Sequence, residues 1–215
     1  MNFKKLFFVS AIALSSTLVF AQETSRGFTR IYGGPAWMKE QGADSDEEAD
    51  KGFQFGIARY VNMTGGSSPL YFQFGAEFNR VTCSETFEGV KAKESMANFA
   101  IPLNFVYRFD LEHDIALEVF AGPNFRINTA GKLKLSNDYE SATVDYFDDL
   151  EAHRFQFGFN AGVGLSFSRI SIAYRFNPDF TNYFDKDKLE DKFDVDFGDA
   201  STKSVYQFFT LGVTF

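Results

Sequence analysis

The residues best suited to acid-base or nucleophilic chemistry lie in one polar stretch of the chain. His153 could act as a general base, Glu151 lies two residues before it, and Ser141 carries a hydroxyl that could serve as a nucleophile. A nucleophile and a base must lie within hydrogen-bonding distance of one another to form such a site. No spaced motif joins these three residues, and single residues of these types are common in polar loops. The sequence therefore assigns no catalytic residue.

A second candidate chemistry is metal binding by acidic residues near the C-terminus. Four aspartates could supply the oxygen ligands that calcium prefers, namely Asp185, Asp187, Asp194 and Asp196. Their spacing lacks the glycine turn of an EF-hand loop, and acidic stretches of this kind are usually solvated. We therefore predict no metal site and no cofactor, and whether these loops bind calcium stays open.

These residues flank long stretches in which every second residue is apolar. In residues 153–167, HRFQFGFNAGVGLSF, large apolar side chains alternate with Gln, Gly, Asn and Ser. A period of two indicates a β-strand. The stretch has 15 residues, whereas an average strand has about 5 to 6 and about 9 to 11 tilted residues cross a membrane. It therefore predicts a membrane-spanning strand.

Seven further stretches have the same period, and the links between them alternate in length. The eight predicted strands are residues 28–38, 52–62, 70–80, 96–109, 115–126, 153–167, 170–176 and 204–215. The links at 39–51, 81–95, 128–152 and 177–203 are long and polar, three of them strongly acidic, whereas those at 63–69, 110–114 and 168–169 are short. Long external loops and short periplasmic turns are typical of outer-membrane barrels. The pattern predicts an all-β, eight-stranded, antiparallel up-and-down transmembrane β-barrel with long acidic extracellular loops.

The N-terminal 21 residues have the features of a secretory signal peptide. Lys4 and Lys5 precede an apolar run that ends at Ala21. Cleavage there leaves a barrel domain at 22–215 with 19 basic and 29 acidic residues, a net charge of 19 − 29 = −10. Such a charge argues against a nucleic-acid partner, and the single cysteine, Cys83, excludes an internal disulfide.

The polar face of the strands distinguishes a membrane barrel from a soluble one. It consists mainly of Gly, Ala, Asn, Gln and Ser rather than the Lys and Glu of a solvated surface. We therefore predict that the apolar face contacts lipid and that the polar face fills the lumen. The interior of an eight-stranded barrel is just wide enough to be filled by side chains. The predicted lumen network comprises Arg30, Glu77, Asn104, Arg108, Glu118, Asn124, Arg126, Asn160 and Arg175, with Glu118 close to Arg108 and Asn104.

Several segments resemble a known family. They are FQFGFNAGVGLSF at 155–167, ISIAYRFNPDFTN at 170–182, NFAIPLNFVYRF at 98–109 and the terminal Phe215. The chain resembles the PorT-like outer membrane protein β-barrel domain group, with OmpA and OmpX as architectural relatives. The resemblance implies an integral protein of the Gram-negative outer membrane. It also implies that the last strand, through Phe209, Leu211, Val213 and Phe215, is the signal read by the barrel-assembly machinery.

The predicted function is that of a small outer-membrane barrel with a filled lumen, a structural or binding scaffold acting through its extracellular loops, and not an open porin. We expect export by the general secretory route, a monomer, and contact with outer-membrane lipid and lipopolysaccharide. The loops could also bind a protein partner. The alternative is a lipid-modifying or proteolytic barrel enzyme that uses His153 at the external rim.

Overall fold

The described part of the chain consists of β-strands joined by turns and loops. The computed structural model describes residues 27–40, 49–64, 68–87, 90–112, 114–137, 141–184 and 202–215. The strands are β1 (Gly27–Glu40), β2 (Asp50–Asn62), β3 (Leu70–Phe87), β4 (Val90–Glu112), β5 (Ile115–Ser136), β6 (Ser141–Asp145), β7 (Phe155–Phe167), β8 (Ile170–Pro178) and β9 (Ser204–Thr214). Among these residues, no helix is long and apolar enough to cross a membrane.

Eight of the strands close into a ring. Each pairs antiparallel with its neighbours in the order β1, β2, β3, β4, β5, β7, β8, β9, and β9 pairs back to β1. The ninth strand, β6, pairs only with β5 and lies outside the ring. Closure leaves no unpaired edge in the ring, which is the condition for a sheet to lie in lipid. The predicted eight-stranded, all-β, up-and-down fold is confirmed.

The pairing also determines how far the strands tilt. One row of paired residues starts at Gly27 and returns to β1 at Trp37, ten positions further on. The row runs Gly27, Val61, Phe72, Phe105, Ala121, Ala161, Phe176, Gln207 and Trp37. A shift of ten residues along the strand for one circuit of eight strands corresponds to a strand tilt of about 40° from the barrel axis.

The two faces of the ring differ sharply in exposure. Phe55 is 58% exposed on the outside, whereas Asn104 and Asn160 are fully buried inside. Exposed Phe, Leu, Ile and Val side chains surround the ring, and most of the buried polar side chains are Arg, Glu, Asn and Gln. A water-soluble barrel has the opposite arrangement. The surface therefore suits a hydrocarbon environment, in which the backbone groups are satisfied by the closed sheet.

The predicted loop at residues 81–95 was wrong. β3 continues to Phe87 and β4 begins at Val90, and the two pair along this whole region, for example at Thr82 with Ser95. The predicted loop at 128–152 also begins within β5, which extends to Ser136 and is joined by β6. The outward face of this part of the sheet is polar because it lies beyond the apolar wall, whereas Val81 and Met96 are buried on the other face. We call this extension the projecting sheet. It is formed by the C-terminal ends of β3 and β5, the N-terminal end of β4, and β6, and we refer to this side of the barrel as its outer end.

The tight turn between β7 and β8 is confirmed. Ser168 and Arg169 alone separate the two strands. Ser168 has a φ of 54°, in the left-handed region that such two-residue turns require. The proposed signal peptide and the four aspartates considered as calcium ligands lie outside the described residues.

Candidate functional site

The first cluster in the lumen, nearest the chain termini, is organised by Glu118 of β5. Arg30 of β1 donates from both terminal nitrogens to the Glu118 carboxylate, at 2.7 and 2.9 Å. Arg108 Nη1 adds a third bond at 3.3 Å and the Ser166 hydroxyl a fourth at 2.7 Å. The Arg30 guanidinium also lies 4.8 Å from the centre of the Tyr60 ring. Glu118 and Arg108 are neighbours, as the sequence predicted.

A second charged cluster lies at mid-height. Arg175 of β8 forms an ion pair with Glu77 of β3 and donates to Gln54 of β2. The Tyr32 hydroxyl donates to the same glutamate. The Arg175 guanidinium lies 4.7 Å from the centre of the Phe208 ring. Side chains from five strands therefore meet across the lumen at this level.

Amide side chains fill the space between the charged clusters. Asn104, which was expected beside Glu118, instead donates to Gln73 at 2.8 Å and accepts from Asn160 at 3.2 Å. Towards the outer end, Asn79 donates to Asn98 at 2.9 Å. All five residues are buried. Two of these hydrogen bonds join the neighbouring strands β3 and β4, and the bond from Asn160 to Asn104 joins β7 to β4 across the lumen. The lumen is therefore polar but occupied.

The third charged cluster, at the outer end, includes an acid that the sequence analysis placed in a loop. Arg126 of β5 forms an ion pair with Asp179, just beyond β8, and donates to Asn177 at 3.0 Å. Asn124 also donates to Asn177, at 3.3 Å. A signal for Asp179 was present in the sequence. The predicted network held four arginines and two glutamates, and buried charges require partners.

An aromatic cap covers the outer end of the lumen. Tyr146 and Ala152 from the β6–β7 connection and Tyr183 from the β8–β9 connection pack onto Tyr206 and Phe208 of β9. The ring centres of Tyr146 and Tyr183 are 6.1 Å apart. The backbone nitrogen of His153 donates to the Tyr183 carbonyl at 2.8 Å, which ties the two connections together. The described parts of these connections are therefore packed against the barrel and are not simply solvated.

Burial in the cap changes the pKa values of its tyrosines. Burial, with the nearby carboxylate of Glu94, raises the pKa of Tyr146 above its usual value. Burial likewise raises the pKa of Tyr183, with a further contribution from Tyr206. Both phenols are therefore neutral at physiological pH, which suits their apolar packing. Gly131 makes this packing possible, since a Cβ there would lie 2.7 Å from the Tyr183 hydroxyl.

The candidate acid-base residues are not assembled into a site. Ser141 pairs with Ser136 at the far end of β5, whereas His153 lies near Asn128, whose side chain donates to the His153 carbonyl at 3.4 Å. The eight residues of β5 between these levels correspond to about 25 Å. His153 is exposed. Among the described residues, no group of His, Cys, Asp or Glu could hold a metal ion.

The proposed assembly signal lies on the outside of the last strand. Phe209, Leu211 and Val213 are exposed on the lipid-facing side of β9, and Phe215 is 71% exposed. The Phe215 backbone exchanges hydrogen bonds with Thr29 of β1 at 2.8 and 3.1 Å. The terminal residue therefore takes part in closing the ring.

Solved structures that are similar to this protein share little of its sequence. No curated protein matches the sequence. Among solved structures, the Ail attachment invasion locus protein of Yersinia pestis, in complex with the heparin analogue sucrose octasulfate, is similar at 15% identity, with 88% of this chain and 99% of that chain covered and a TM-score of 0.45. Neisserial surface protein A is similar at 9% identity, with coverage of 88% and 97% and a TM-score of 0.45.

A family model gives the assignment. The model described as "Outer membrane protein beta-barrel domain" matches residues 20–185, more than half of the chain. The matched region includes β1 to β8, and with them every charged cluster of the lumen. The chain therefore belongs to the outer membrane protein beta-barrel domain family.

Proposed function

We propose that this outer-membrane barrel is a binding scaffold with a closed lumen, which presents its projecting sheet and outer connections to partners outside the cell. The observation that carries the proposal is the filling of the lumen at every level. Three ion-pair clusters, centred on Glu118, Glu77 and Asp179, lie in succession beneath the aromatic cap. A solute would have to displace charged groups whose partners would remain buried, and that is costly.

The shape of the outer surface supports a binding role. β4 has 23 residues and β5 has 22, whereas about 9 to 11 suffice to cross the membrane. Half of each strand is therefore used outside the hydrocarbon region. Binding residues are often carried by segments that a rigid scaffold positions, and the projecting sheet continues directly from the barrel wall.

Bilayer recording tests the closed lumen. Purified protein reconstituted in a planar bilayer should show no steady conductance, whereas an open porin in the same bilayer should conduct. A Tyr146→Ala, Tyr183→Ala variant, which loosens the cap, should also stay closed because the ion-pair clusters beneath it remain. A steady pore of large conductance in the wild-type protein would overturn the proposal.

The finer assignment is to the PorT-like branch of the family, with export by the general secretory route, insertion by the barrel-assembly machinery and a monomeric state. The sequence segments at 98–109, 155–167 and 170–182 support the branch. Cross-linking in intact cells, followed by purification from detergent-solubilised outer membrane, would identify a partner at the loops. Recovery of the barrel alone, with cross-linkers that reach the projecting sheet, would count against a protein partner.

A further inference from the structure

The outward surface of the projecting sheet carries a group of four lysines, which we call the lysine face. It consists of Lys91 and Lys93 of β4 and Lys132 and Lys134 of β5, all exposed. Lys93 lies directly opposite Lys134, and Lys132 lies opposite Ser95. Residues that are directly opposite in an antiparallel pair project from the same side of the sheet. The four ammonium groups therefore share one surface.

A β-bulge determines that this surface points away from the barrel interior. Along β5 the even-numbered residues Asn124, Arg126 and Asn128 face the lumen. The pairing with β4 then shifts by one residue at Thr129, so that Gly131 is buried and Lys132 is exposed. Without this shift, the two lysines of β5 would continue the lumen-facing row. The bulge brings them instead to the side of Lys91 and Lys93.

Little of the charge on these lysines is neutralised by residues that the structure describes. Lys132 Nζ lies 3.8 Å from Asp145 Oδ2 of β6. Within the part of the chain that the structure describes, Lys91, Lys93 and Lys134 form no ion pair. Like charges directly opposite one another destabilise a sheet. The pair Lys93 and Lys134 therefore weakens the free protein, and a bound anion would relieve the repulsion.

The lysine face lies just above the lipid-contacting wall. Phe99 on β4 and Ile127 on β5 are exposed apolar residues of that wall. Lys93 is six residues beyond Phe99, and Lys132 is five beyond Ile127. With the strand tilt of about 40°, these separations are roughly 10 to 15 Å along the barrel axis. The four lysines therefore lie beyond the apolar residues of the wall, on the outward face of the sheet.

We infer that the lysine face binds the anionic headgroup of lipopolysaccharide, through its phosphate and sugar carboxylate groups. Charge complementarity favours this ligand, because the chain as a whole carries a net charge of −8 and would repel an anion elsewhere. Basic residues near an anionic membrane surface attract its headgroups. The inference deepens the proposed scaffold function and rests on the outward orientation of the projecting sheet.

Lipid binding to the purified protein tests the inference, with Kdo2-lipid A as the probe. In detergent micelles at low ionic strength, the wild-type protein should bind this lipid, and Lys93→Gln, Lys134→Gln should weaken binding about 25-fold, roughly fivefold for each lysine. The double Lys→Arg variant at the same positions should bind as the wild type does. Arg59→Gln, Arg169→Gln, which removes two cations from the opposite end of the barrel, should also leave binding unchanged.

Protein stability provides a second test, because adding lipid should reverse which of the two proteins, wild type or variant, is the more stable. Without lipid, Lys93→Gln, Lys134→Gln should be slightly more stable than the wild type, because the facing charges are gone. With saturating Kdo2-lipid A, the wild type should be the more stable protein, because the ligand binds the folded state. A variant that merely damaged the sheet would be less stable in both conditions, and that result would overturn the inference.

Two further results would overturn the inference. One is equal binding of Kdo2-lipid A by the wild type and the Lys→Gln variant. The other is preferential binding of a soluble polyanion, such as dextran sulfate, over the lipid. Lipid binding in micelles does not depend on how the barrel is oriented in a membrane. A failure to bind lipid would therefore leave the scaffold function untouched. That function is tested separately, by conductance measurements and by surface labelling of intact cells.

Discussion

Glu118 illustrates how much one buried side chain contributes to the lumen. Its carboxylate accepts hydrogen bonds from Arg30, Arg108 and Ser166, and its side chain is 3% exposed. The alternation of residues along the strands already predicted that these charges lie inside. It could not predict that Arg30 reaches Glu118, because β1 and β5 are not adjacent in the ring. The contact exists only because the sheet curves into a closed barrel.

Removal of the Glu118 charge should be strongly destabilising. Glu118→Gln leaves Arg30 buried without a counter-charge, and breaking a buried pair on one side typically costs about 3 kcal/mol or more. We expect a loss of this size in the free energy of unfolding, measured in urea with the protein in lipid vesicles.

The matched control for this variant is Asp110→Asn. Asp110 also pairs with Arg108, at 3.1 Å, but its side chain is 84% exposed. Exposed pairs contribute about 0 to 1 kcal/mol, so this variant should unfold as the wild type does. Equal effects of the two substitutions would show that the burial of Glu118 has no energetic consequence.

The outer parts of β4 and β5 are the elements whose structure departs most from the sequence-based prediction. Their polar residues indicated loops, yet the two strands pair as far as Lys91 and Ser136. The bulge at Thr129 is the feature that makes the pairing compatible with the charges. It exposes the β5 lysines and places Gly131 and Leu133 on the side of the cap. Neither a bulge nor its position follows from residue types alone.

Insertion of one alanine after Ala130 should therefore disrupt the projecting sheet but not the barrel. The insertion shifts every later residue of β5 by one position, which turns Lys132 and Lys134 towards the cap and Leu133 towards solvent. We expect limited proteolysis to cut the outer parts of β4 and β5 rapidly, while the ring keeps its heat-modifiable migration on a gel.

Thr129→Ala is the comparison for this insertion. It keeps the number of residues and loses only the hydrogen bond from the Thr129 hydroxyl to the Ala97 carbonyl, 3.1 Å long. Protease resistance close to that of the wild type is expected. Rapid cleavage of the substitution variant would mean that this hydroxyl, rather than the register, holds the projecting sheet.

At the scale of the whole molecule, the ring is completed by the pairing of β1 with β9. The two hydrogen bonds between Thr29 and Phe215 are made by the backbone. The Phe215 side chain is exposed and contributes little to closure itself. Its proposed role as an assembly signal and its place in the folded ring can therefore be separated.

Phe215→Ala should reduce assembly in cells without preventing folding of the purified chain. We expect several-fold less protein in the outer membrane, because the terminal aromatic residue is the proposed recognition element. Refolding from urea into detergent should proceed normally, because the backbone bonds to Thr29 remain.

Phe155→Ala is the control for Phe215→Ala. Phe155 is 74% exposed on the outside of β7, close to the 71% of Phe215. It should assemble in cells as the wild type does. Equal assembly defects in the two variants would indicate a general need for exposed aromatic residues and no special signal at the C-terminus.

The sequence by itself determined the strands of the ring, their number, the direction of each face and the inward position of the charged residues. It could do so because strand periodicity and link length are local properties of the chain. Only the tertiary structure decided which charges pair across the lumen, that Asp179 joins Arg126, and that the outer connections form a cap. It also decided, through one extra residue at Thr129, which way the lysines of β5 point. These features depend on ring closure and on register, which are set by contacts between distant parts of the chain.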